Sequence, residues 1–283
     1  MKGLSLAAAI VGLFSAHSVL AADLPVKAPP VVQPVFSWGG WYVGLNAGGI
    51  WDHNNVNNFI TTPATAVPNA IAVAALAGNG GVNGSGFAGG AQVGYNWMVN
   101  RSWMLGLEAD IQGISMSERR VSGLAVAGPN TGQDFDSIRH NWLATFRARG
   151  GYAFDRALVY VTGGLAVGDA SFSRTQTWNF FGDGCPADPR NGLASCHVGS
   201  SSNTLTGGVV GVGGEYAFWG NWSAKVEYLH TWLSGSTNFI TQNRGTAFVT
   251  PGGVIITAQQ FNQSASTTGM DLVRVGVNYR FGQ

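Results

Sequence analysis

Residues 103–115 read WMLGLEADIQGIS, and their alternation decides the fold class. In an extended chain Leu105, Leu107, Ala109 and Ile111 share one face, while Gly106, Glu108, Asp110 and Gln112 share the other. A strand of about nine to eleven residues with an apolar and a polar face is the unit of a transmembrane barrel, where side chains alternate between lipid and lumen. Residues 273–281, VRVGVNYRF, repeat the pattern: Val273, Val275, Val277, Tyr279 and Phe281 oppose Arg274, Gly276, Asn278 and Arg280. Trp142, Ala144, Phe146 and Ala148 oppose Asn141, Thr145, Arg147 and Arg149 in the same way. Val159-Tyr160-Val161, three in a row, does not alternate and leaves the faces of its segment open.

Working outward, the chain offers eight such segments: Trp41–Trp51, Gly86–Trp97, Trp103–Ser115, Ser137–Phe154, Ala157–Phe172, Asn203–Phe218, Trp222–Leu233 and Thr268–Phe281. All ten prolines fall outside them, as expected for a residue that cannot donate to a sheet ladder. Three connections are short, Met98–Ser102, Asp155-Arg156 and Trp219–Asn221; four are long, Asp52–Ser85, Met116–Asp136, Ser173–Ser202 and Ser234–Thr267. Short and long alternate, the pattern of periplasmic turns and extracellular loops. The expected fold is therefore an all-β, eight-stranded antiparallel up-and-down barrel, with four long extracellular loops and both barrel termini periplasmic. Ala70–Leu76, and the pair Thr246–Thr250 with Val254–Ala258, are apolar enough to add strands inside the first and fourth loops.

Composition agrees. Charged residues make up 10% of the 283, against about 25% in soluble domains. There are 42 glycines and ten tryptophans, and mean hydropathy is +0.11, which excludes a disordered chain. The net charge of +1 argues against a nucleic-acid binder. Beyond the N-terminus no apolar run reaches the roughly 18 residues of a membrane helix.

Met1-Lys2 followed by an apolar run to Leu20 and by Ala21-Ala22 reads as a signal peptide over residues 1–22, cleaved after Ala21 or Ala22. Its removal takes away Lys2 and leaves 14 basic residues against 14 acidic ones. Residues 23–37, with Pro25, Pro29, Pro30 and Pro34, form an expected Pro-rich periplasmic tether, and residues 38–283 form the barrel.

Trp97, Trp103, Tyr152, Trp222, Tyr279 and Phe281 cluster beside the short turns, and Trp51, Phe87, Trp142 and Trp232 lie at the far strand ends. Both sets fit aromatic girdles at headgroup depth. The lumen face collects Glu108, Asp110, Arg139, Arg147, Arg149, Glu215, Lys225, Glu227, Arg274 and Arg280. Enclosed charges must pair, so a salt-bridge network is expected, with Arg147 and Arg149 meeting Glu108 and Glu227. A plug of side chains is favoured over a charged pore, since eight strands leave an interior only just wide enough for side chains. Cys185 and Cys196, in the third long loop, read as a disulfide in an exported chain; a zinc site with His197 lacks a fourth ligand at suitable spacing. No G-x-S-x-G elbow and no H-E-x-x-H occurs, and residues 207–214 lack the Lys-Ser/Thr of a phosphate loop. No enzyme activity, metal or cofactor is expected.

A resemblance joins these readings. Asn141-Trp142, then Thr145-x-Arg147-x-Arg149-x-Gly151-Tyr152-Ala153-x-Asp155 and Tyr160-Val161-Thr162-Gly163-Gly164-x-Ala166, resemble the small alphaproteobacterial outer-membrane surface antigens, the immunogenic or porin-like barrels. The leader end Ala21-Ala22-Asp23-Leu24-Pro25, the stretch Trp38-x-Gly40-x-Tyr42-x-Gly44 and the closing Arg274-x-Gly276-x-Asn278-Tyr279-Arg280-Phe281 are similar too. The resemblance implies an abundant envelope protein with surface-exposed loops. Tyr279 and Phe281 stand as the assembly signal for the barrel-assembly machinery, although Gly282 and Gln283 displace the aromatic from the end. The expected role is a structural surface antigen that contributes to envelope integrity, with a mostly closed lumen. The alternatives are a small-solute porin or a loop-mediated adhesin or ligand receptor. Expected partners are outer-membrane lipid and lipopolysaccharide, with host or environmental ligands at the loops and no nucleic acid.

Overall fold

A computed structural model describes residues 36–58, 80–122, 124–127, 130–178, 194–234, 236–243, 248–249, 255–256 and 260–282. The expected signal peptide, the tether up to residue 35, the candidate strand Ala70–Leu76 and Cys185 lie outside the described residues. The strands are β1 (Gly40–Asn58), β2 (Gly80–Met98), β3 (Trp103–Val121), β4 (Ala125–Ala127), β5 (Asn130–Phe154) and β6 (Ala157–Trp178). They continue with β7 (Ala194–Trp219), β8 (Trp222–Ser234), β9 (Ser236–Asn243), β10 (Phe248–Val249), β11 (Ile255–Ile256) and β12 (Gln260–Arg280).

Eight of these pair antiparallel in the order β1-β2-β3-β5-β6-β7-β8-β12, and β12 returns to β1. Closure removes the open edges that a sheet would otherwise present to lipid. At the short turns the strands begin and end within one residue of where the sequence places them. Asp155, at a turn position that favours a left-handed conformation, has φ 54°. At the other rim the strands run on past the expected ends: β6 reaches Trp178 instead of Phe172, and β7 starts at Ala194 instead of Asn203. Cys196, expected in a loop, thus belongs by its backbone to β7. The extension follows from alternation that persists above the bilayer. Ile114, Met116 and Glu118 still point in, while the outward positions become Ser115, Ser117 and Arg119, which suit water. Of the strands suspected within the fourth loop, β10 and β11 pair inside the expected segments, and β9 adds a partner to β12 and β7.

The outer face is as apolar as the pattern requires, with Leu45, Val161, Leu165 and Val275 all exposed. The open question over β6 resolves into ordinary alternation: Val159 and Val161 face out and Tyr160 faces in. At the turn end the girdle is a chain of edge-on rings, including Trp41–Tyr95, Trp103–Tyr152 and Trp222–Tyr279 at 5.1 to 5.2 Å between centroids. Tyr279 continues to Phe281 at 5.2 Å.

One irregularity corrects the reading of a lumen residue. The β5–β6 register shifts between Arg139 and Leu143, and the β3–β5 register shifts across the same point. Below the bulge the odd residues Leu143, Thr145, Arg147 and Arg149 face the lumen; above it the even residues Ile138, Asp136 and Asp134 do, together with His140. Arg139, assigned to the lumen by continuing the odd series, is exposed on the outer face, and Asn141 is outward as well. A single inserted residue reverses every side chain beyond it. Asp169 holds the bulge: its carboxylate accepts the backbone N–H groups of Asn141 (2.8 Å) and Trp142 (2.9 Å) and the Asn141 side-chain amide (2.5 Å).

The charged lumen as candidate functional site

Glu108 and Arg147 are direct cross-strand partners on β3 and β5, as are Glu227 and Arg274 on β8 and β12, and Glu215 and Lys225 on β7 and β8. Period-two alternation then aims all six side chains inward, where the opposite walls are within reach. Arg147 pairs with Glu108, with Asp110 at 2.8 Å and with Glu227 at 3.0 Å. Arg149 pairs with Glu108 at 3.1 Å and Glu215 at 3.2 Å. Lys225 reaches Glu108 at 3.3 Å and Glu227 at 3.6 Å. Arg274 reaches Glu227 at 2.6 Å, Asp110 at 3.3 Å and Glu108 at 3.6 Å, and Arg280 reaches Glu215 at 3.4 Å. Four carboxylates thus share five cations, every one of these side chains 0% exposed. Each charge has more than one partner or an added hydrogen bond. Glu215, for example, also accepts from Ser223 (2.5 Å) and Asn278 (2.9 Å). That is the condition under which buried ions are tolerated.

Two tyrosines that the sequence reading did not place in the lumen complete the cluster. Tyr42 Oη donates to Glu108 at 2.7 Å and receives a bond from Arg149, and Tyr160 Oη donates to Glu227 at 3.1 Å. The Arg149 guanidinium lies 3.9 Å from the Tyr160 ring centroid. Inward glycines make the space: a Cβ on Gly94 would lie 2.3 Å from the Tyr42 ring, and one on Gly213 would lie 2.5 Å from that of Tyr160.

The charged layer is bounded along the axis. On the turn side Trp38, Met104, Leu158, Tyr160, Ala153 and Ala217 pack together. Trp38 donates its indole N–H to the Asp155 carbonyl (2.9 Å), and its own carbonyl accepts from Asn96 and Arg280. Trp38 opens the expected barrel domain, yet its burial had no signal in the alternation, because it precedes β1. On the other side Ile50, Leu143, Leu205, Leu229, Leu233, Met270 and Leu272 form part of a second apolar layer.

Beyond that layer stands a polar group that the sequence reading left dispersed. His140 Nε2 lies 3.3 Å from Asp52 Oδ2, and Arg174 grips Asp136 through two bonds of 2.5 and 2.9 Å. Burial, and secondarily the neighbouring Asp52, push Glu118 up to about 9; burial also pushes Asp134 up to about 6. The signal that could have found them is the inward parity of β3 carried on to Glu118. For β5 that route fails at the bulge. Among the described residues no group of three or more His, Cys, Asp or Glu side chains is arranged to hold a metal ion.

The sequence matches the outer membrane protein beta-barrel domain over residues 6–281. It is 34% identical over 289 residues to the 31 kDa outer-membrane immunogenic protein of Brucella melitensis, covering 99% of this chain and 100% of that one. It is 26% identical over 171 residues to the 25 kDa outer-membrane immunogenic protein of Brucella abortus, covering 59% of this chain and 64% of that one. Among solved structures it is similar to the outer membrane protease OmpT of Escherichia coli, at 8% identity and a TM-score of 0.40, covering 86% of this chain and 97% of that one. It is similar also to OprG of Pseudomonas aeruginosa, at 9% identity and a TM-score of 0.35, with the same coverages of 86% and 97%.

Proposed function

Since the chain belongs to the outer-membrane immunogenic protein family, a β-barrel surface antigen of the Gram-negative outer membrane, we propose that its role is structural: it contributes to envelope integrity with a lumen sealed by its own salt bridges. The observation that carries this reading is the cluster of Glu108, Asp110, Arg147, Glu227 and Arg274, fully buried between two apolar layers. A hydrated ion crossing that cluster has to break several charge-assisted bonds at once, each stronger than a neutral hydrogen bond. No catalytic step is assigned to the lumen. The carboxylates of this cluster are held by cations, and none of them is left free to act as acid or base.

Planar-bilayer recording tests the reading. At physiological salt the folded wild-type barrel is expected to show no steady stepwise conductance. Discrete, sustained openings of the wild type would replace the structural role with that of a small-solute porin.

A further inference from the structure

The bulge that turns Arg139 outward places it on a face where lipid, not lumen, is the neighbour. Arg139 pairs across β3 with Ser117 and across β6 with Ser171; Arg119 pairs with Ser137, which pairs in turn with Ser173. The two arginines are therefore diagonal neighbours on adjacent strands, with Cα atoms roughly 7–8 Å apart. β7 adds Ser202 and Ser200 opposite Ser171 and Ser173, and the Ser171 and Ser202 hydroxyls lie 2.9 Å apart. Arg139 and Ser137, Ser171, Ser173, Ser200 and Ser202 border a surface groove of about 440 Å³, and Arg119 pairs with Ser137 at its edge. Both arginines are exposed, and neither has an ion pair among the described residues. Asp169, two residues from Ser171 on β6, uses both carboxylate oxygens on Asn141 and Trp142.

Height decides the ligand. Arg139 stands three residues beyond Trp142 of the outer girdle, roughly 7.5 Å along the membrane normal at about 3.3 Å per residue and a tilt of about 40°. The headgroup layer outside the hydrocarbon is about 5–8 Å thick on each side. Arg139 thus sits at phosphate depth, with Arg119 two residues further out, roughly 5 Å along the normal, and able to reach down. Elsewhere on the ring the outer face carries opposite chemistry. At the β8–β12 pair it presents Asp271, hydrogen-bonded to Tyr228 (2.7 Å) and His230 (2.6 Å).

We propose that Arg119 and Arg139, with the serine hydroxyls beside them, form a binding site on the outer wall of the barrel for a phosphate of the lipopolysaccharide headgroup. Two guanidinium forks clasp the phosphate oxygens bidentately, and the hydroxyls donate to neighbouring phosphate or sugar oxygens. The site gives the barrel one fixed lipid-facing side.

The test measures lipopolysaccharide binding to the full-length folded barrel in detergent, by native mass spectrometry with titration. Wild type, Arg119→Ala/Arg139→Ala and Arg101→Ala/Arg156→Ala, which alters the short-turn rim, are compared, each shown to be folded by heat-modifiability. The expected result is a loss of roughly tenfold or more in affinity for the first double variant only, the scale of one or two charge-assisted bonds. Wild type should bind phosphatase-treated lipopolysaccharide as weakly as that variant binds the intact lipid, an arm that does not depend on any variant folding. Equal binding of intact and dephosphorylated lipid, an equal loss in the short-turn variant, or no loss in the outer-wall variant would each overturn the proposal. So would tighter binding of a soluble anionic polysaccharide than of the lipid.

Discussion

Glu108 meets Arg147, Arg149, Lys225 and Arg274, and also accepts from Tyr42. Removing it strands fully buried cations without that partner, so Glu108→Ala is expected to destabilise the barrel by about 3–5 kcal/mol and to raise its ionic leak. Arg147→Ala should act in the same direction. The double variant should cost less than the two single changes combined, because each single change already breaks the shared contact. Urea unfolding in lipid vesicles reads the first quantity and bilayer current the second. Strict additivity would mean that the two residues do not act on each other. Glu108, Arg147 and Arg274 were legible in the sequence because a charge at every second position can only point away from lipid. Tyr42 and Tyr160 were not, since tyrosine suits a headgroup girdle as well as a charged interior. Their inward places depend on Gly94 and Gly213 lying beside them, which is a matter of register.

Among the elements, β5 shows where alternation fails as a guide. Its odd residues face the lumen up to Leu143, and beyond the bulge its even residues do. The bulge rests on Asp169 of β6, so Asp169→Ala is expected to leave the Asn141 and Trp142 amides without their acceptor. Hydrogen exchange at those two amides should accelerate, and stability should fall by about 1 kcal/mol, the low end for groups that water can reach. Asp169→Asn, which keeps a carbonyl acceptor, should fall in between. Unchanged exchange in the alanine variant would mean that the bulge is fixed by the ladders alone. Nothing in the local sequence announces the insertion: residues 139–142 read Arg-His-Asn-Trp, with neither the glycine nor the proline that often marks a break.

At the scale of the whole molecule, the closed ring has two unlike rims. The short turns and the continuous aromatic belt lie at one end, and the extended strand ends at the other, where β7 carries Cys196. Cys185 lies outside the described residues, so the expected Cys185–Cys196 bridge remains a proposal with a direct test. On intact cells a membrane-impermeant thiol reagent should label neither cysteine until a reductant is added, and should then label both. Labelling without reductant would exclude the bridge. Labelling only after lysis would place this rim in the periplasm.

By itself the sequence determined the class, the strand number, the polarity of the two faces and the short-turn rim. Each of these follows from period-two alternation and loop length, which are local properties of the chain. Only the tertiary structure decided how far the strands climb, because hydrogen bonding between neighbours continues wherever both chains stay extended. It also decided that Trp38 folds against the turn end of the lumen, and that Arg139 belongs to the outer wall. Both depend on contacts between residues far apart in the chain. Asp155 lies 117 positions from Trp38, and Asp169 lies 28 from Asn141, so no window on the sequence holds both partners at once.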